Sequence, residues 1–259
     1  MRLVIERVEQ AFEGVSFASV GPYEKITGRV FAEADPGHRL NAPIVNLDRA
    51  PRNAAGRVEY WFDFCLLRPA DLRKGNRRLL YDVINRGGKI ALIDFNSAPR
   101  ANNPLSAADA GNGYLMRQGY SILWSAWQGD VLAGEERMLA GFPPPSDHGA
   151  PLVGINRDEF LFESGAGPLR AALSYSANSL DQSQATLTIR ECEADDRVAV
   201  AADRWRYVTA NQIEITRPAG FDAGAIYEFI YPARDPIVMG LGLAGIRDLI
   251  AFFRHEAAD

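Results

Sequence analysis

Near the C-terminus, Gly240, Gly242 and Gly245 stand in the spacing G-x-G-x-x-G, inside "GLGLAGIRDLIAFFRHE". Such glycines can cradle a dinucleotide pyrophosphate when a strand leads in, a helix follows, and an acidic residue stands about twenty positions further on a second strand. Pro232 and Pro236 interrupt the lead-in, leaving only Ile237 to Met239 as an apolar approach, and the sequence given ends before a second strand. The glycines are therefore read as places where a helix starts close against a neighbouring sheet. No cofactor is expected.

Other chemistry-bearing residues are scattered. Ser146, Asp147 and His148 are consecutive, and neighbours in sequence cannot line up as a nucleophilic triad, which is assembled across a fold. A polar loop is expected there. His38 lies beside a Pro-Gly turn and His255 on the terminal helix. The pairs Glu135-Glu136 and Asp195-Asp196 lack ligand spacing and read as solvated surface, so no metal site is expected. Cys65 and Cys192 are far apart and outside any C-x-x-C spacing, so both are read as reduced thiols.

The chain has 259 residues, 47% of them apolar, and a formal charge of -5. That is enough for a sizeable core, and it argues against a phosphate-binding surface. The one basic cluster, "RKGNRR" at Arg73 to Arg78, reads as a solvated turn between strands, and no nucleic-acid partner is expected. "MRLVIERVEQAFEG" lacks the apolar core of a signal peptide, and no long apolar run could span a bilayer. The expected location is the cytoplasm.

The elements follow from pattern. "YEKITGRVFAEAD" and "RVEYWFDFCLLRP" are strand-like and are expected to pair antiparallel across a long Pro- and Asn-rich loop. "RLLYDVIN" (Arg78 to Asn85) predicts a buried strand. A short helix through Tyr114, Leu115 and Met116 should stop at Gly119, and the apolar run Tyr120 to Trp127 should enter as a parallel strand. From about Pro151 to Asp235, short runs such as "TLTIR" and "QIEIT" alternate as half-buried antiparallel strands. The last segment predicts a helix burying Ile246, Leu249, Ile250 and Phe253. The fold class is thus α/β with a large β component: an antiparallel strand pair plus a βαβ unit (residues 1–140), a β-rich insert (151–235), and a return to the core (236–259).

"LLYDVINRGGK … NGYLMRQGYSILWSAWQGD" resembles the third strand, oxyanion loop, first helix and fourth strand of α/β-hydrolases. "VNLDRAPRNAAGRVEYWFDFCLLRPADL" and "YEFIYPARDPIVMGLGLAGIRDLIAFFR" are similar to the bacterial alpha/beta hydrolase domain-containing proteins, a likeness that runs from about Tyr23 almost to the end. It implies a partial α/β-hydrolase sheet with the insert after the fourth strand. The loop after the third strand, usually of HGGG type, here reads Asn85-Arg86-Gly87-Gly88, without the histidine. Arg86, Gly87 and Gly88 are the candidate oxyanion loop, with a bare strand-end turn as the alternative. Asn85, Trp124 and Trp127 are pocket candidates, the two tryptophans fitting a core role equally well.

No G-x-S-x-G nucleophile elbow is present: "GVSFA" at Gly14 lacks its closing glycine, and "ESGAG" at Glu163 its leading one. The resemblance places serine, acid and histidine beyond the terminal helix. The chain is accordingly expected to be a serine-esterase scaffold, inactive alone, whose complete relatives take a small ester-like substrate. The alternatives are one half of a split hydrolase and a non-catalytic binding module using the insert. Ending before the fifth strand should leave "LLYDVIN" an open sheet edge for self-association or a complementing chain.

Overall fold

Alternating apolar and polar residues make strands the main regular structure of the chain. The computed structural model, which describes residues 1–162 and 167–255, is mixed α/β with a large β component. It divides into two compact units, one of Met1–Pro143 resuming at Val238, the other of Pro144–Ile237.

The first unit is built on one sheet. Its strands are β1 (Arg2–Gln10), β2 (Tyr23–Ala34), β3 (Val58–Pro69), β4 (Leu79–Asp82), β5 (Ser121–Ser125) and the short β6 (Ala140–Gly141). The order is β1-β2-β3-β5-β4, with β6 pairing to β3. β2 and β3 run antiparallel over their full lengths, from Tyr23 opposite Pro69 to Ala34 opposite Val58. β5 is antiparallel to β3, and β4 is parallel to β5. Between β4 and β5 lie α1 (Ala91–Asn96) and α2 (Tyr114–Arg117). Gly119 ends the second helix at φ 74°, and a Cβ there would stand 2.9 Å from the Asn76 amide nitrogen. Tyr23 anchors the same corner, donating its hydroxyl to the Met116 and Tyr120 carbonyls at 3.1 and 3.0 Å.

One strand is added to the expected elements, and two expectations are corrected. The N-terminal segment is itself a strand, β1, whose alternation is broken by a bulge between Ile5 and Arg7. The strand expected through Asn85 stops at Asp82 and is only partly covered: Leu80 and Tyr81 are half-buried against the core, whereas Leu79 and Val83 are 39% and 53% exposed. α3 (Leu241–His255) buries Leu241, Gly242, Ala244, Gly245 and Leu249 instead of Ile246, Ile250 and Phe253. The reason is steric. The glycines turn toward the sheet because a backbone can approach closest where there is no side chain. A Cβ on Gly242 would sit 1.7 Å from the Trp127 carbonyl oxygen, and one on Gly245 2.9 Å from the Phe62 ring. Gly242 and Gly245 thus form a packing seam, whereas Gly240, at φ 105°, has room for a Cβ.

The second unit is antiparallel. β16 (Ile226–Arg234) pairs along its whole length with β9 (Val153–Leu161), and on its other side with β12 (Thr186–Arg190) and β11 (Ser176–Ala177). β13 (Val198–Ala199) extends that sheet from β12. A second sheet orders β10 (Leu169–Ala172), β15 (Gln212–Ile215) and β14 (Trp205–Thr209). The sheets share a core in which the Trp205 and Phe229 rings meet edge to face at 5.1 Å. A small hairpin, β7 (Ser146–Asp147) with β8 (Ala150–Pro151), precedes it. Among the described residues, no helix is long and apolar enough to cross a membrane.

Gly242→Ala should lower stability by roughly 1–3 kcal/mol through overpacking, more than Gly245→Ala, whose clash is with a ring that can shift. Urea denaturation followed by Trp fluorescence reads both, and equal stability of wild type and Gly242→Ala would contradict the seam.

Candidate functional site

The C-terminal end of β4 is organised by one carboxylate. Asp82 is buried, and its Oδ2 accepts the Ile90 and Ala91 amides at 3.1 and 2.8 Å and the Trp124 indole N–H at 2.6 Å. Charge-assisted bonds of this kind are about twice as strong as neutral ones. They cap α1 from eight residues away and lock β5 to β4.

Between Asp82 and α1 the chain makes a tight turn. Arg86 and Gly87 have φ of 51° and 79°, and the Gly88 amide donates to the Asn85 carbonyl at 3.0 Å. The Arg86 amide donates to Gln128 Oε1 at 2.6 Å, and its guanidinium pairs with Asp130 at 2.6 Å. Of the three loop amides, only that of Gly87 has no partner among the described residues. The turn offers one free donor where an oxyanion hole uses two.

The tryptophans are structural. Trp124 is 0% exposed, its N–H held by Asp82. Trp127 is partly buried, donates its indole N–H to the Ile84 carbonyl at 2.6 Å, and offers its own carbonyl to the Gly242 seam. Asn85 is exposed and closes the turn. For both tryptophans the core role is the one the contacts describe.

The next residue after the turn has chemistry that sequence reasoning missed. Lys89 is 6% exposed and Lys25 1%, and both line a cleft of about 280 Å³ together with Cys65, Thr27, Asn102 and Asn103. Lys25 reaches the cleft because β2 alternates. It shares a face with Thr27, which stands opposite Cys65, which stands opposite Trp124. Its ammonium is paired with Glu9 at 3.1 Å and donates to Asn103 Oδ1. The Lys89 side chain donates to the Asn102 carbonyl and lies over the Trp124 ring, 5.8 Å from its centroid.

No ion pair holds Lys89 among the described residues, whereas Lys25 has Glu9 and Arg29 has Asp63. Burial pushes the Lys89 ammonium below the usual lysine range, and the nearby Lys25 charge pushes the same way, against Cys65, Glu136 and Asp63. Burial also pushes the Cys65 thiol up. A protonated thiol carries no charge, so its counterweight on Lys89 is missing near neutral pH. One sequence signal existed. The chain has three lysines against twenty-five arginines, and two of the three are in this cleft.

The remaining candidates stay apart. His38 caps a turn by accepting the Leu40 amide, and His148 occupies the exposed β7–β8 turn at φ 51°. His255 is exposed at the end of α3. Glu135, Asp195 and Asp196 are exposed, whereas Glu136, also exposed, lines the lysine cleft and accepts the Asn103 amide at 2.9 Å. The basic cluster after β3 is an exposed turn in which Arg73 pairs with Asp71 at 2.9 Å. Cys65 is buried, Cys192 is exposed, and both are free thiols. Among the described residues no three metal-ligating side chains gather. The "ESGAG" near-miss begins at Glu163, and residues 163–166 lie outside the described residues. No protein-family model, no curated protein and no solved structure matches the chain.

Removing the Asp82 carboxylate strands two buried donors and the part-buried Ile90 amide. Asp82→Ala should cost roughly 3 kcal/mol or more, since each unpaired buried donor costs about 1–3 kcal/mol. Asp82→Asn, which keeps an acceptor oxygen, should cost less. Chemical denaturation checks the order, and equal losses for the two variants would show that the carboxylate oxygen is not what holds the site.

Proposed function

We propose that the first unit carries the early part of an α/β-hydrolase-type sheet, with the Arg86–Gly88 turn on the side where an acyl oxygen would be held. The observation that carries this reading is strand order. In α/β-hydrolases the third strand lies between the fourth and the fifth, and here β4 sits outside β5, parallel to it, while β3 runs against both β2 and β5.

On this reading the ester-cleaving serine comes from a strand laid along the outer flank of β4. None of the described residues pairs with that flank. The 259 residues contain no G-x-S-x-G, so hydrolysis of an ester or related acyl bond belongs to the sheet completed by such a strand, in this protein's surroundings or in a partner. The exposed Leu79 and Val83 mark the edge as a place for strand addition, by a second copy or by the complementing segment.

Two measurements test this. The 259-residue protein should release p-nitrophenol from short esters no faster than buffer, and a serine-directed phosphonate should label nothing. Saturable turnover blocked by the phosphonate would mean the reaction uses a nucleophile outside this scheme. Light scattering across a dilution series should show association that weakens when Tyr81, central in β4, is replaced by proline. A strict monomer at high concentration would contradict an open pairing edge.

A further inference from the structure

A lysine side chain is seldom buried without a carboxylate beside it, because taking the ammonium out of water is costly. Lys89 is buried in a polar cleft whose Asp63 and Glu136 carboxylates form no ion pair with it among the described residues. Among the described residues its acceptor is the Asn102 carbonyl, and the ammonium's other two N–H groups have no protein partner, in a residue that lines a space of about 280 Å³. A second, carboxylate-paired lysine lines the same space.

Structural use alone does not account for this pairing. Two of the three lysines line the cleft, beside Arg7, Arg29 and Arg137, and the third, Lys74, is exposed. Arginine would serve as well or better for holding carbonyls and carboxylates, with more donors in a fixed plane. What lysine offers and arginine does not is an amine that can lose its proton and act as a nucleophile.

We propose that the Lys89 cleft is a binding site for a small polar aldehyde or ketone, which Lys89 takes up as an imine. The site is separate from the Arg86–Gly88 turn and does not rest on the hydrolase reading. The Nζ lone pair attacks the carbonyl carbon; a C–N bond forms and the C=O π pair moves onto oxygen. A proton passes from nitrogen to that oxygen, giving a carbinolamine. The Lys25 ammonium then protonates the hydroxyl, which leaves as water as C=N closes, and Lys25 regains the nitrogen's second proton. No oxidant or reductant takes part. Lys25 has two tasks, holding a neighbouring positive charge that favours the neutral Lys89 amine and shuttling the proton.

Reductive trapping tests this on the intact chain. The protein is incubated near neutral pH with glycolaldehyde and cyanoborohydride, digested, and its labelled lysines are read by mass spectrometry. Lys74 is exposed and serves as the internal standard in every sample. Lys89 should label several-fold faster than Lys74, because burial and the neighbouring Lys25 charge favour its free amine. Lys25→Met should slow labelling at Lys89 and leave Lys74 unchanged. Label at Lys74 and the N-terminus with Lys89 unmodified in the wild type would overturn the proposal, whatever the variant's folding. Unchanged Lys89 labelling in a folded Lys25→Met would overturn the role given to Lys25.

Discussion

The carboxylate of Asp82 is the constraint on which the first unit's working end depends. It gathers the Ile90 and Ala91 amides and the Trp124 indole around a single buried oxygen. The Ala91 amide and the Trp124 indole are out of water, so each needs this acceptor or stays unpaired. The bonds do three things together. They fix the ends of β4 and β5 relative to each other, start α1, and confine the six residues from Val83 to Gly88 to a tight turn. Lys89 follows that turn and precedes the captured amides, so its backbone has little freedom. Its side chain is carried over the ring of the same Trp124 that Asp82 holds.

The same constraint explains what the sequence could and could not reveal. Strands with clean alternation, such as those around Thr186 and Gln212, were legible because one face of each is buried, and Gly119 announced the end of α2 through a conformation that favours glycine. α1 was invisible for a physical reason. Its cap is not a neighbouring serine or aspartate but Asp82, brought back by the turn, and no local window contains that pairing. β1 was hidden because its bulge puts Ile5 and Val8 out of phase and leaves both exposed.

The terminal helix shows a different limit. Counting large apolar residues at helical spacing selects Ile246, Leu249, Ile250 and Phe253, of which only Leu249 is fully buried. The contact face is set by where the backbone can come closest, which is where Gly242 and Gly245 leave room. Of the candidate site, the turn was legible from its glycines, whereas the cleft was not. Lys25 and Lys89 are 64 positions apart and meet only through sheet pairing, and the surviving trace in the sequence is how few lysines there are.

The most direct test of this account is the Trp124 indole N–H, observed by nitrogen–proton correlation NMR and assigned by its loss in Trp124→Phe. The account predicts a resonance displaced downfield, protected from exchange with solvent, and returning toward the free-indole position in Asp82→Asn. A freely exchanging Trp124 signal at the free-indole position in the wild type would contradict it, because β4, the turn, α1 and Lys89 would then lack their common anchor.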